Sequence, residues 1–439
     1  MPANLDRYMQ IFNEMKKGNL PSVTDYEIID SLKTLQNNLC KEKDNLAIIA
    51  AKETGKPIKY CLAEVFRSIK IIDDGITCLM TLKYDSGVIC TNELNARWYR
   101  KKIPVGTVLG FTPFSSPYSS YIHKLVASII YKNNFICKPS PKALECSIQL
   151  YNIIRNSLSI KNKQCVNILP LPNDEITMKI LSHADFDCLL FTGKSSTAST
   201  IKNVIVRKRA VFETGSSAMV YVAKSSDINV AVKKIVKGAF SQSGMRCVAT
   251  KNVFIQREIS EDFINLLAKE IKNIKCGSEL DPVTDVGPIL NEDTLNGIME
   301  YIIKLKENNY KIIFGGNLIG NNILEPTVLI DQGSSYVSIE EAYGPILCIH
   351  EVSNMYEIPQ IYSKRSSLNI SIYSKDINEV DDWINYCDKS GSIFVNHGPT
   401  DRIDNLPFGG MFDENEGKEG MSELMSVLTK DQIIYNCTY

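Results

Sequence analysis

The 439-residue chain has no excess of either charge: 49 Lys and Arg stand against 50 Asp and Glu, for a formal net charge of −1. That balance excludes a global field able to hold nucleic acid or an acidic bilayer, and either partner would need a local patch. No uninterrupted apolar run reaches about 18 residues. The opening MPANLDRYMQIFNEMKKGNL has no basic segment followed by an apolar one. Secretion and membrane spanning are therefore not expected, and a cytoplasmic location is. Histidine is scarce: His123, His183, His350 and His397 are scattered, and none has Cys or carboxylate neighbours at metal-ligand spacing, so no metal is expected. No GxSxG elbow is present to support a serine hydrolase. Internal repeats, low-complexity stretches and long linkers are also missing.

Cysteine, by contrast, is plentiful. The 13 residues are an odd number without a CxxC pair, as expected of reduced thiols that mostly serve as small buried hydrophobes. Hydrophobic residues at 44% and charged residues at 23% are ordinary globular values, and the length suits more than one domain.

The front of the chain reads as helix. Thr24 can cap, Glu27 sits at the capping-box position, and Ile28, Leu32, Leu35 and Leu39 recur at helical spacing until Gly55 and Pro57 stop it. From about 104 short β-rich runs (VGTVLG, NFICKP, VNILP, FDCLLFTG, AVFET) alternate with helical segments at 117 to 133 and 142 to 157. A second alternation starts near 215 with MVYVA, VFIQ, KIIFGG and SIFVN. This pattern predicts two α/β units with parallel sheets. ARWYRKKI and the tail DQIIYNCTY read as strands outside both sheets. The basic run at 207–209 reads as a solvated helix end.

Chemistry is most legible in GAFSQSGMRCVATKNVFIQ, where Cys247 follows a tight turn and precedes a β-run. Taken alone it is one cysteine among thirteen, and a structural role is the default. What selects it is order: KPSP at 138–141, FTG at 191–193, Glu213 in FETGSS, GMRC at 244–247, EEAYGPIL at 340–347 and NLPFGG at 405–410. This succession resembles the aldehyde dehydrogenase superfamily over nearly the whole chain. KPSP, GSSA and EGMSELMSVLT look most like its lactaldehyde, phosphonoacetaldehyde and non-phosphorylating glyceraldehyde-phosphate dehydrogenase branch.

The resemblance implies two Rossmann-like parallel-sheet domains, a dinucleotide-binding one over 1–83 and 104–213 and a catalytic one over 214–408. It also implies a small β oligomerisation extension from 84–103 and 425–439 in a homodimer or homotetramer. It implies NAD or NADP as cofactor, a small-molecule aldehyde as substrate, Cys247 as nucleophile and Glu213 as the base for the deacylating water. A thiolate suits this chemistry because its thiohemiacetal can expel hydride and leave a hydrolysable thioester. Lys138, Ser140, Phe114, Gly193, Lys194, Glu341 and Tyr343 match the cofactor site. Pro141 occupies the place where many members carry a Glu that holds the adenosine 2′-hydroxyl, which leaves NAD and NADP both open.

Several positions depart from the family pattern. Ser115 in TPFSSP replaces the oxyanion Asn, with a shorter donor. Lys194 follows FTG where a small Ser is usual and is either a phosphate contact or a surface lysine. Leu171 and Asn173 stand where the family places glycines. Met245 replaces a frequent Gln, and Phe412, Glu414 and Asn415 replace the residues expected after PFGG. Arg402 and His397 lie on a segment that borders the substrate mouth in the family. Arg402 is a candidate for an anionic substrate group, with an ordinary salt bridge as the alternative. The departures keep a second function open, a protein of the same fold without redox turnover, either a thiol-dependent hydrolase or a non-catalytic binding or assembly subunit. An acylating enzyme is disfavoured by Glu213.

Overall fold

Two long helices lead into the first sheet. The computed structural model describes residues 5–17, 23–81, 88–89, 96–159, 164–172, 175–320, 322–333, 342–358, 367–404, 406–410 and 415–437. After α1 (Leu5–Lys17), α2 (Asp25–Thr54) starts at the expected capping box. Thr24 Oγ1 accepts from the Glu27 N–H at 3.2 Å and the Glu27 carboxylate accepts from the Thr24 N–H at 2.8 Å. The helix ends at Gly55, whose φ is 74°. A Cβ there would lie 2.1 Å from the Pro288 carbonyl oxygen, so both conformation and close approach require glycine. The next helix, α3 (Ile58–Thr81), runs back along α2.

The first sheet consists of β3 (Thr107–Thr112), β4 (Asn134–Pro139), β5 (Val166–Ile168), β6 (Cys188–Gly193), β7 (Arg209–Thr214) and a late strand, β17 (Asn415–Glu416). Their order is β17-β7-β6-β3-β4-β5, parallel except for β17. Helices α4 (Pro117–Ile130), α5 (Leu144–Ser157), α6 (Glu175–His183) and α7 (Ser195–Val204) make the crossovers. β3 and β4 are buried at every position, because helices and loops cover both faces of a parallel sheet. On one face α2 to α5 pack Leu32, Leu39, Val65, Ile72 and Tyr121. On the other, Phe12 of α1 joins Leu181, Phe191 and Phe212.

The second sheet contains β8 (Ala218–Val222), β9 (Thr250–Gln256), β10 (Tyr310–Phe314), β13 (Thr327–Asp331), β14 (Ile346–Val352), β15 (Asn369–Tyr373) and β16 (Ser392–Val395). The order is β10-β13-β14-β9-β8-β15-β16, with only the β10–β13 pair antiparallel. Helices α8 (Ile228–Phe240), α9 (Ser260–Ile271) and α10 (Glu292–Glu307) flank it. Two Rossmann-like α/β units are thus present, as the alternation predicts. Apart from both lies a three-stranded antiparallel sheet of β1 (Val88–Ile89), β2 (Ala96–Pro104) and β18 (Thr429–Cys437). The last of these strands starts at Thr429, after a helix over Leu424–Leu428 whose Leu424 and Leu428 join the first core.

One sequence expectation is corrected. Residues 207–209 are not a solvated helix end: Arg209 donates to the carbonyls of Ser426, Val427 and Thr429. Lys208 donates to those of Ala184 and Phe186 and lies 3.8 Å over the Phe186 ring. Both cations satisfy carbonyls left open at chain ends. Among the described residues no helix is long and apolar enough to cross a membrane, and no group of three or more His, Cys, Asp or Glu could hold a metal ion.

Candidate active site

Cys247 sits in the turn between α8 and β9. Backbone strain shapes this turn: Gln242 and Ser243 each have φ 56° and Gly244 has φ 65°. A Cβ on Gly244 would meet the Gly344 carbonyl oxygen at 2.2 Å. The buried Lys251 of β9 fastens both strands of chain together, donating to Gly244 O at 3.0 Å and to Gly344 O at 2.7 Å. The turn that carries the thiol is therefore bolted to the turn that carries Tyr343. Cys247 is half-buried and packs against Val248, Leu368 and Phe408.

Glu213 ends β7 as a buried carboxyl. Burial, then the charge of Glu419, push it up to about 8, against the opposing pull of Arg402 and Lys124. For Glu419 burial acts in the same direction, yet Lys124, His123, a hydrogen bond from Glu213 and Arg402 together hold it well below the usual carboxylate range. These neighbours favour the proton on Glu213 over Glu419. Lys124, fully buried on α4, donates to Glu419 Oε1 and to Thr192 Oγ1, each at 2.6 Å. The Thr192 hydroxyl reaches Glu213 Oε2 at 3.1 Å and Glu419 Oε1 at 3.3 Å. Arg402 closes the cluster, lying 3.9 Å over the Phe408 ring with Nη1 3.7 Å from Glu213. Phe408 thus bridges the surroundings of Cys247 and those of Glu213.

Ser115 opens the turn into α4 and lines a cleft between the two sheets. Its carbonyl accepts from Lys56 Nζ at 3.0 Å. Lys56 is in turn ion-paired with Glu64, both inside the protein, and Glu64 Oε1 accepts from the first N–H groups of α4, those of Tyr118 and Ser119, at 2.9 and 3.0 Å. A buried ion pair so placed both caps the helix and anchors the Ser115 backbone.

The cleft encloses about 750 Å³ beyond the carboxyl ends of β3, β4 and β6, where parallel sheets receive dinucleotides. Phe114, Ser115, Lys138, Ser140, Gly193, Lys194 and Tyr343 all line it. The rings of Phe114 and Tyr343 come within 6.0 Å from opposite sheets. Lys138 is buried 5.5 Å from the Phe111 ring. At Gly193 a Cβ would press on the Phe191 ring at 2.7 Å, so glycine keeps the wall open. Ser195, Ser196 and Thr197 present the first turn of α7 to the same space, a donor set suited to a pyrophosphate. These residues fit a dinucleotide. Glu341, Asn173, Phe412 and Glu414 lie outside the described residues; Leu171 is buried in the core beneath the sheet.

The two candidates at the substrate mouth both have partners in the protein. Arg402 makes salt bridges, with Asp404 and Glu419 at 3.1 and 3.3 Å, and also lies beside the Glu213 carboxyl, so two carboxylates already face its charge. His397 lies 3.2 Å from Asp401 and 3.3 Å from Lys234. Sequence reasoning missed Arg246, Lys124 and Glu419. Arg246 adjoins Cys247 and donates to the Thr400 carbonyl at 2.7 Å. Among the described residues it has no carboxylate within ion-pair distance; burial holds its pKa down, Arg67 acts the same way, and the neighbouring Cys247 and then Asp401 act against it. Lys124 did carry a signal, a lone cation at a core position of the apolar IHKLVASII.

A two-sheet α/β protein with a dinucleotide cleft, and a half-buried cysteine linked to its lining residue Ser216 through Leu368, has the layout of a thiol-using oxidoreductase. Residues 3–434 match the model of the aldehyde dehydrogenase family. The chain belongs to that family, and with it to the NAD(P)-dependent aldehyde dehydrogenases. It is 30% identical over 410 residues to a lactaldehyde dehydrogenase of Methanococcus vannielii, covering 92% of this chain and 87% of the relative. A 3-sulfolactaldehyde dehydrogenase of Priestia aryabhattai is 24% identical over 418 residues, covering 93% and 86%. The crystal structure of glyceraldehyde-3-phosphate dehydrogenase GapN from Methanocaldococcus jannaschii, complexed with NADP, superposes with a TM-score of 0.92 at 25% identity, covering 100% of this chain and 96% of that one.

Proposed function

We propose that this protein oxidises a small aldehyde bearing an anionic group to the carboxylate, through a thioester on Cys247. The observation that carries the anionic part is Arg246, one residue from the thiol and bonded to a carbonyl instead of a carboxylate, with Arg67 as a second cation nearby. An anion brought to such a pair is attracted by both. Arg67 is itself held by Asp404 through three hydrogen bonds, which leaves Arg246 as the contact. The relatives named above support the class, since their substrates are 2-hydroxyaldehydes and two of the three end in a sulfonate or phosphate.

In the proposed mechanism the Cys247 thiolate adds to the aldehyde carbon. The oxygen that becomes negative is met by the Cys247 N–H and the Ser115 hydroxyl, whose backbone Lys56 holds in place. A bound nicotinamide supplies the acceptor for the hydride shed at this carbon. Glu213 then takes a proton from the water that attacks the thioester, which returns the thiol and releases the carboxylate. For that it must first lose its own proton, so deacylation requires the ionised Glu213.

The test is aldehyde-dependent reduction of nicotinamide by the purified protein and by Cys247→Ser. Turnover by the native chain with 3-sulfolactaldehyde or glyceraldehyde 3-phosphate, lost in the variant with dinucleotide binding retained, is expected. Arg246→Ala should raise KM for those substrates and leave that for lactaldehyde nearly unchanged. Turnover that survives Cys247→Ser would overturn the mechanism.

A further inference from the structure

Resting on the dehydrogenase reading, we infer that Ser243 is a positioning residue: through the α2–α3 junction at Gly55 and Lys56 it sets the distance between the two donors that meet the developing oxyanion. Those donors stand on different units. The Cys247 N–H belongs to the turn that leads into β9 of the second sheet, and the Ser115 hydroxyl to the turn that follows β3 of the first. A site divided in this way works only while its halves stay in register, since a misplacement of about 1 Å can cost about 10²-fold in rate. A part of the chain that reaches both turns can supply that register, and the junction between α2 and α3 does.

One arm of this strut is Lys56, whose Nζ donates to the Ser115 carbonyl at 3.0 Å. The other begins one residue earlier. Gly55 lies so close to the segment after α9 that a Cβ on it would stand 2.1 Å from the Pro288 carbonyl oxygen, and a Cβ on Gly287 would stand 2.5 Å from the Gly55 carbonyl oxygen. The Gly287 N–H donates to Ser243 Oγ at 2.9 Å, and the Ser243 hydroxyl returns a longer bond to the Gly287 carbonyl at 3.4 Å. Ser243 is fully buried in the same turn as the thiol. Further contacts fasten the segment to the first turn of α3. The Ile58 N–H donates to the Glu279 carbonyl at 2.7 Å, and Asp285 Oδ1 accepts from Lys59 Nζ at 2.7 Å and from the Tyr60 hydroxyl at 3.1 Å. Ser243 also holds φ 56°, a strained conformation for a residue with a side chain, which persists where the surroundings fix it.

The experiment compares the full native chain with Ser243→Gly, which accepts φ 56° without strain and lacks the hydroxyl, and with Ser243→Ala, which lacks the hydroxyl and keeps the strain. Two rates are read. The first is kcat/KM for glyceraldehyde 3-phosphate or 3-sulfolactaldehyde with NAD+ or NADP+, which depends on the oxyanion donors. The second is alkylation of Cys247 by iodoacetamide, followed on its peptide by mass spectrometry, which forms no oxyanion. Both variants should lose about 10- to 100-fold in the first and stay within about twofold in the second and in dinucleotide Kd. Adding Ser243→Gly to Lys56→Met/Glu64→Gln should cost no more than the larger of the two separate losses, because either cut already frees the halves. Native kcat/KM in both Ser243 variants would overturn the inference and leave the dehydrogenase reading standing. A parallel fall in alkylation would assign the hydroxyl to the shape of the thiol turn alone and overturn it too, as would losses that multiply in the combined variant. A native chain without turnover, or turnover that survives Cys247→Ser, would sink the inference together with the reading beneath it.

Discussion

The Arg402 guanidinium lies between two carboxyl groups whose pKa values move in opposite directions, with Nη1 3.7 Å from Glu213 and Nη2 donating to Glu419 at 3.3 Å. Burial and Glu419 raise Glu213, and Arg402 and Lys124 pull it back. Glu213, raised to about 8, acts as a base only once deprotonated, so turnover limited by deacylation should rise with pH through that value. Arg402→Gln removes a charge that favours the ionised form and should move the rising limb of kcat to higher pH. Glu419→Gln removes a charge that disfavours it and should move the limb lower. Glu213→Gln should lower kcat by about 10²- to 10⁴-fold. These are read from pH–rate profiles, and a limb that stays in place in both neighbouring variants would show that another group titrates.

The ion pair beneath Ser115 predicts a separable pair of effects. Lys56→Met should cost about 3–5 kcal/mol in urea unfolding, because Glu64 is left buried without its partner. Lys56→Met/Glu64→Gln should recover part of that, since an amide oxygen still accepts from Tyr118 and Ser119. Activity should stay low in both, as the Ser115 carbonyl has lost its tether. Recovery of full turnover in the double variant would deny the anchoring role.

Gly244→Ala should be costly on two counts. A Cβ at φ 65° and 2.2 Å from Gly344 O forces the turn apart, at about 1–3 kcal/mol for the backbone strain alone. A displaced Cys247 should lower kcat/KM by about 10²-fold, the scale of a 1 Å misplacement. Thermal unfolding and steady-state kinetics check the two parts.

His397→Asn should do little. The ring is engaged with Asp401 and Lys234 at the surface, so stability and KM should stay within about twofold of the native values. A large rise in KM for the aldehyde would return His397 to the substrate site.

How much of this was legible beforehand depended on how far apart the partners are in sequence. The capping box of Thr24 and Glu27 is local, three residues wide, and reads directly. Cys247 and Glu213 were found only because motif order substitutes for a map of the fold. Lys124 and Glu419 were missed because each makes sense only beside the other, and they are 295 positions apart. The direction in which Arg402 points was likewise open, since its partners come from β7, the segment after PFGG and its own turn. The reading of 207–209 failed for the same reason: the carbonyls that take up Arg209 belong to residues 426–429.

The pairing of β17 with β7 has a consequence for biosynthesis. Asn415 and Glu416 lie antiparallel to Glu213 and Phe212, and Glu419 follows three residues later. Until these residues leave the ribosome, β7 is the bare edge of an otherwise formed sheet, and Lys124 lacks the Glu419 carboxylate that accepts from it. The first half of the polypeptide therefore cannot mature on its own ahead of the second. Translation halted before the final two dozen residues yields a product with an open strand edge at the very place where the base should stand, fit for a chaperone or a protease.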